Sequence, residues 1–240
     1  MRLFRVILLV FILILPVKAN TIYYLIKIPN LEIYELNTLN KLKYFYAIKP
    51  FRLGVEKNIV CLNPDKKALD EKYKIIQKNL NKYSTNFLKK INLKYIVLCE
   101  NLSISGINTA GIPDSKMKTL ILDIRFDKNY FERVIHHEIF HIINDSYKTN
   151  FNEEEWVKFN HRDFKYAECS TCSDRLGLST YKKTEGFLTE YSKSTASEDM
   201  AEVFSHLIFN IKKSNYDPIL KKKKTFIKKN ILKIDNNFKF

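Results

Sequence analysis

The stretch His136-His137-Glu138-Ile139-Phe140-His141 sets two histidines four residues apart, with a glutamate beside the first. On a helix, positions i and i+4 stand one above the other on a single face. Two imidazoles so placed can reach one Zn²⁺, and Glu138 is then aimed at a metal-bound water whose proton it can take. Two histidines leave such a site one ligand short, because catalytic zinc takes three protein ligands and keeps its fourth position open. No His-x-x-Gly-x-x-His continuation follows His141, and His161 and His206 stand isolated. A carboxylate is the other option. Glu198 lies downstream, with Glu202 four positions later on the same helical face. Glu198 could complete the ligand set while Glu202 accepts a hydrogen bond from a ligating imidazole and fixes its tautomer. Read alone, the pair is equally an ordinary acidic helix face.

Each of these residues needs an element to carry it. Asn129 followed by Glu132 reads as a capping box that opens a helix, with Asn129 as its N-cap. Phe131, Val134, Ile135, Ile142 and Ile143 give that helix a buried stripe, and Asn144-Asp145-Ser146 reads as its exit. A strand at 119–124 leads into it, and there it is expected to form the upper edge of a cleft, where a peptide can add as an extra strand. A second helix over 197–207, capped by Ser197 or Thr195, carries Glu198 and Glu202.

Further upstream, 21–28, 31–36 and 58–62 are rich in β-branched and aromatic residues and read as strands, as does 93–98. Asn63-Pro64 reads as a helix start. Leu69, Tyr73, Ile76, Leu80, Tyr83 and Phe87 then predict one amphipathic helix of up to seven turns, packed on a sheet. Gly106, Gly111 and Pro113 mark 103–118 as a loop or hairpin, and 147–186, with Trp156, as an irregular wall below the cleft. A final helix over 217–234 is expected to turn Ile219, Leu220, Phe226, Ile227, Ile231 and Leu232 inwards and its lysines 221–224 towards solvent. The whole is an α+β pattern: a mixed sheet with a backing helix over 20–125, then the motif helices and a C-terminal helix over 126–240, in one domain.

Arg2 and Arg5 precede an apolar run from Val6 to Val17, and Val17-Lys18-Ala19 resembles a cleavage site, so 1–19 reads as a signal peptide. The run is short of the roughly 20 apolar residues that a membrane span needs. The expected destination is outside the cytoplasm, secreted or periplasmic. Loss of Arg2, Arg5 and Lys18 lowers the formal charge from +15 to +12. That excess could attract an anionic surface. The lysines are scattered, without the arginine clusters or interleaved aromatics of a nucleic-acid reader, so nucleic acid is not an expected partner. In an oxidising compartment the four cysteines point to disulfides, with Cys169–Cys172 and Cys61–Cys99 the preferred pairs.

The second motif carries a resemblance. The stretch from Thr189 to Phe204 contains Tyr191 seven residues before Glu198, then Glu198-Asp199-Met200-Ala201-Glu202-Val203-Phe204. It resembles the Tyr…Glu-x-x-Ala-Glu-x-Phe pattern of lethal-factor-like zinc metallopeptidases, gluzincins that include secreted zinc-binding peptidases of bacteria. Trp156, Phe159, Phe164 and Tyr166 are similar to the aromatic segment between the motifs of those enzymes. The resemblance covers 129–207, and Ala196 stands where the family often has proline. It implies a zincin-like fold with one Zn²⁺ held by His137, His141 and Glu198, Glu138 as general base, and Tyr191 as a hydrogen-bond donor to the oxyanion. The expected activity is that of an exported zinc endopeptidase acting on protein or peptide substrates. The alternative is a secreted binding or adhesion module that keeps the fold without turnover.

Overall fold

The computed structural model describes residues 28–209 and 217–240. The leader read at 1–19 lies outside them, as does nearly all of the strand read at 21–28. Eight strands form a mixed sheet: β1 (Leu31–Glu35), β2 (Lys43–Ala47), β3 (Phe51–Leu53), β4 (Ile59–Leu62), β5 (Tyr95–Ile104), β6 (Ile107–Asn108), β7 (Gly111–Asp114) and β8 (Thr119–Asp123). The long β5 is its spine. Its first half runs parallel to β2 on one side and β8 on the other, and its second half pairs antiparallel with β4 and β6. Antiparallel β1 and β7 flank β2 and β8, and β3 extends the sheet from β4.

Alternation along the central strands builds a core on each face. Ile96 and Leu98 of β5, with Leu120 and Leu122 of β8, face the larger core formed with the helices. Val97, Cys99 and Ile121 face a smaller core with Ala47, Phe51 and Ile59. The Cys61–Cys99 disulfide joins β4 to β5 inside that smaller core.

Six helices complete the described residues: α1 (Lys66–Leu80), α2 (Thr85–Lys90), α3 (Phe131–Ser146), α4 (Glu153–Val157), α5 (Ala196–Ile208) and α6 (Pro218–Ile234). The apolar stripe from Leu69 to Phe87 crosses two helices, not one. Asp65, rather than Asn63, caps α1 by accepting from the Ala68 N–H, and α1 ends at Leu80. Ser84 caps α2, leaving Tyr83 between the helices with its hydroxyl on His136. Asn129 does not cap α3: Tyr130 holds the cap position with no side-chain bond, and Glu132 turns aside to accept from Asn79.

Two further expectations are corrected in the sheet and in α6. The strand before α3 is β8, and it is interior, buried along its length between β5 and β7. The edge is β7, which the glycine and proline of 103–118 disguise as a turn. Proline suits an edge because it has no N–H to offer the ladder. In α6, Leu232 is exposed, whereas Lys223, from the lysine run read as solvent-facing, is wholly buried. Among the described residues, no helix is long and apolar enough to cross a membrane.

Candidate metal centre

The centre lies where α3 packs against α5. The apolar stripe of α3 faces the core, leaving His137 and His141 one above the other towards α5. Thr195 begins α5 by accepting from the Glu198 N–H at 3.2 Å, which sets Glu198 in its first turn. Three donor atoms converge. His137 Nε2 is 2.8 Å from Glu198 Oε2, His141 Nε2 is 3.2 Å from the same oxygen, and the two nitrogens are 3.1 Å apart. Among the described residues, His137, His141 and Glu198 are the group of His, Cys, Asp or Glu side chains that could hold a metal ion.

The donor set fits zinc. Tetrahedral zinc with bonds of 2.0–2.1 Å separates its ligand atoms by about 3.3 Å, close to the spacing here. Two imidazole nitrogens turned towards each other and towards one carboxylate oxygen also demand a positive charge between them, because paired lone pairs repel. Without a metal that charge is a proton. Burial pushes the His137 imidazole down, but the hydrogen bonds and charges of Glu198 and Glu202 outweigh it and lift it to about 10. His141 is likewise raised against its burial, chiefly by Glu198. Glu198 is held far below the usual carboxylate range, its own burial outweighed by the two imidazoles.

Behind His137, its Nδ1–H donates to Glu202 at 3.0 Å, which leaves Nε2 as the nitrogen that a metal would take. The other Glu202 oxygen accepts from the Thr189 hydroxyl at 3.0 Å and lies 3.7 Å from the Arg133 guanidinium. Burial raises the Glu202 carboxyl, but His137, with Arg133 behind it, holds it down at about 2. His141 has a weaker support, the Ser197 hydroxyl at 3.4 Å from Nδ1.

Glu138 is buried on the β7 side. Burial keeps its carboxyl above its ordinary range, against the pull of His137 and His141. A Cβ at Gly111 would stand 2.7 Å from Glu138 Cγ and 3.1 Å from Cδ, so only glycine lets the edge strand run this close. Tyr191 opens a single 3₁₀ turn, Tyr191–Lys193, and its ring centroid is 5.8 Å from that of His137. Burial, then the charge of Glu198, pushes its phenol well above the ordinary value.

Residues 62–237 match the family described as "putative zinc-binding metallo-peptidase". The chain belongs to that family. The match spans both helices of the centre and the segment between them. A crystal structure described as that of a "putative zinc-binding metallo-peptidase" from Bacteroides caccae ATCC 43185 is 20% identical, with 74% of each chain covered and a TM-score of 0.47. No curated protein matches the chain.

Three features of this family member escape a reading of its motifs. His136 is structural: it bonds Tyr83 at 2.7 Å and Asn79 at 3.1 Å, and burial lowers it to about 3, keeping it neutral. Arg133, one turn before His137, spans from Glu202 to the Leu178 carbonyl, to which it donates at 2.6 Å. Asp199 beside Glu198 turns to the other side of α5, where Lys223 approaches at 2.6 Å and both residues are fully buried. Trp156 Nε1–H and the Tyr166 hydroxyl donate to the same Asp199 oxygen, and Lys223 also donates to the Gly186 carbonyl and faces the Phe187 ring. The lysine was detectable in principle: Leu220, Lys223, Ile227 and Ile231 form one helical stripe. Of the other histidines, His161 is exposed and His206 is buried, its Nδ1 bonded to the Glu202 carbonyl. The second disulfide, Cys169–Cys172, closes a surface loop.

Proposed function

We propose that the protein is an exported zinc-dependent endopeptidase with a zincin-like active site, in which His137, His141 and Glu198 hold one Zn²⁺ and Glu138 is the general base. The observation that carries this reading is the convergence of two imidazole nitrogens and one carboxylate oxygen within 3.2 Å of one another. Family membership supports the metal and the reaction class. The two disulfides and the leader-like first 19 residues support export.

Zinc, when bound, lowers the pKa of its water to about 7 and polarises the scissile carbonyl. The chain's own residues do the rest. Glu138, raised above its ordinary value by burial, is a stronger base than an exposed glutamate. It takes the proton of the attacking water and returns it to the leaving amine. Tyr191, kept protonated, donates to the oxygen where negative charge develops, a bond that strengthens only in the transition state. Glu202 holds His137 in the tautomer that presents Nε2. An extended peptide laid along the outer edge of β7 would pass Glu138 at Gly111, where a side chain would push the base aside.

The test is Glu138→Gln, which keeps the shape and removes the base. Zinc content should be unchanged, and peptide hydrolysis should fall by roughly 10²- to 10⁴-fold. A Glu138→Gln protein that cleaves peptides at the wild-type rate rules the mechanism out. A zinc-loaded wild type that cleaves none of a diverse peptide library, yet binds some of them, favours the binding-module alternative.

A further inference from the structure

Tyr191 stands on a turn of only three residues, too short to hold itself in place. The turn is braced from outside by the segment 165–177. The Tyr191 N–H donates to the Gly177 carbonyl at 3.0 Å, and the Ala167 N–H donates to the Ser194 carbonyl at 2.8 Å. Between them, the Arg175 guanidinium donates to the Lys193 carbonyl at 2.6 Å. The same Arg175 nitrogen reaches back to the Lys165 carbonyl at 3.3 Å, and the guanidinium lies over the Phe164 ring at 5.7 Å. One side chain therefore ties the start of the bracing segment to the end of the tyrosine turn. The segment has no helix or strand of its own. Within it, the Cys169–Cys172 disulfide ties a short stretch of backbone just before Arg175 and narrows its freedom.

We propose that Arg175, three residues after the Cys169–Cys172 disulfide, is a positioning residue that fixes Tyr191 against the reacting carbonyl. This rests on the reading of Tyr191 as a donor to the oxyanion. The reason is geometric. A donor acts on developing charge only when it is already in place, and a displacement of about 1 Å can lower a rate 10²-fold. Arg175 brings one charged nitrogen to two carbonyls at once while its guanidinium plane lies over the Phe164 ring, a stacking that a lysine ammonium cannot reproduce. Neither Arg175 nor the disulfide touches His137, His141 or Glu198 in the contacts above, so the brace reaches those residues through Tyr191, whose phenol bonds Glu198.

The experiment uses the zinc-loaded full protein and the variants Arg175→Ala, Arg175→Lys and Cys169→Ser/Cys172→Ser, each with and without Tyr191→Phe. Zinc content, kcat and KM on a peptide substrate, and backbone hydrogen exchange over 191–194 are measured together. Arg175→Ala and the double serine variant should keep their zinc, exchange faster over 191–194, and lose kcat by roughly 10- to 100-fold with little change in KM. Arg175→Lys should recover part of that loss. In the Tyr191→Phe background the same changes should cost nothing further, because the group they position is gone. A loss of equal size in both backgrounds overturns the inference, as does unchanged exchange over 191–194 in Arg175→Ala. Should the wild type hydrolyse no peptide, the peptidase reading fails on its own, and the exchange measurement still decides whether Arg175 holds the turn.

Discussion

Glu198 and Asp199 are neighbours in the first turn of α5, both carboxylates, both taken largely out of water, yet they meet opposite surroundings. Asp199 has its cation built in: Lys223 at 2.6 Å, with Trp156 and Tyr166 completing the shell. Glu198 meets two imidazoles whose nitrogens turn inward together and, among the described residues, forms no ion pair with a lysine or arginine. A buried carboxylate needs compensating charge, because the cost of burying it alone is several kcal/mol. Where the chain provides that charge permanently, the result is a brace between α5, α6 and the segment around Gly186. Where the chain leaves the charge to be provided by a proton or a metal, the result is a cluster that could hold a metal ion. Adjacent positions on one helix thus divide the labour of scaffold and centre.

The largest expected effect tests the scaffold half of that comparison. Lys223→Met leaves Asp199 buried without its cation and should lower stability by about 3–5 kcal/mol, measured by urea unfolding of the zinc-free protein. Glu198→Ala should cost less in the same assay, since His137 keeps Glu202 as a partner, while zinc binding disappears. If Glu198→Ala unfolds the protein as severely as Lys223→Met, the two carboxylates do not differ in kind.

A smaller effect sharpens the centre half. Glu202→Gln preserves the shape beside His137 but weakens the acceptor that fixes its tautomer. Zinc affinity should fall by about 10- to 100-fold, measured by competition with a chromophoric chelator, with the His137 and His141 ligands intact. Zinc loading should also release protons. His137 is raised to about 10 in the metal-free protein and His141 is raised as well, so at pH 7 the centre holds at least one proton that the metal must displace. Calorimetry in two buffers of different ionisation enthalpy counts it. A count of zero would mean that the proton is not the placeholder described above.

The contrast also marks how far the sequence could be read. The α+β class and the placing of α3 and α5 were legible because their signals are local: an apolar stripe at helical spacing and Thr195 at a cap. The residues His137, His141 and Glu198, named from spacing and resemblance, meet through the packing of α3 on α5. What was not legible depends on partners distant in the chain. Gly111 and Pro113 read as turn residues because nothing nearby announces that Glu138 must fit beside the one and that the other sits at a sheet edge. The partner of Tyr83, in the gap between α1 and α2, is His136, 53 positions away. Lys223 was hidden among identical neighbours, although its register with Leu220 and Ile227 placed it on the buried stripe.

The adjacent histidines repeat the contrast on a finer scale. His137, between two carboxylates, is raised, whereas His136, bonded only to the neutral Tyr83 and Asn79, is lowered to about 3 by burial. His206 is also lowered by burial, to about 4. For His136 and His206 the unfolded chain binds the proton more tightly, so their contribution is complete above about pH 6.5. It is then lost as pH falls towards the folded values, by at most about 1.4 kcal/mol per pH unit for each. His137 runs the other way in the zinc-free protein: its contribution is present below about pH 6.5 and disappears as pH rises through about 10. Urea midpoints of zinc-free protein measured between pH 4 and pH 7 should therefore decline towards acid, and His136→Gln should flatten that slope relative to wild type, whatever it does to the midpoint at pH 7. A slope unchanged by His136→Gln would assign the acid sensitivity to His206 and to the carboxylates around the centre, and would remove His136 from the comparison.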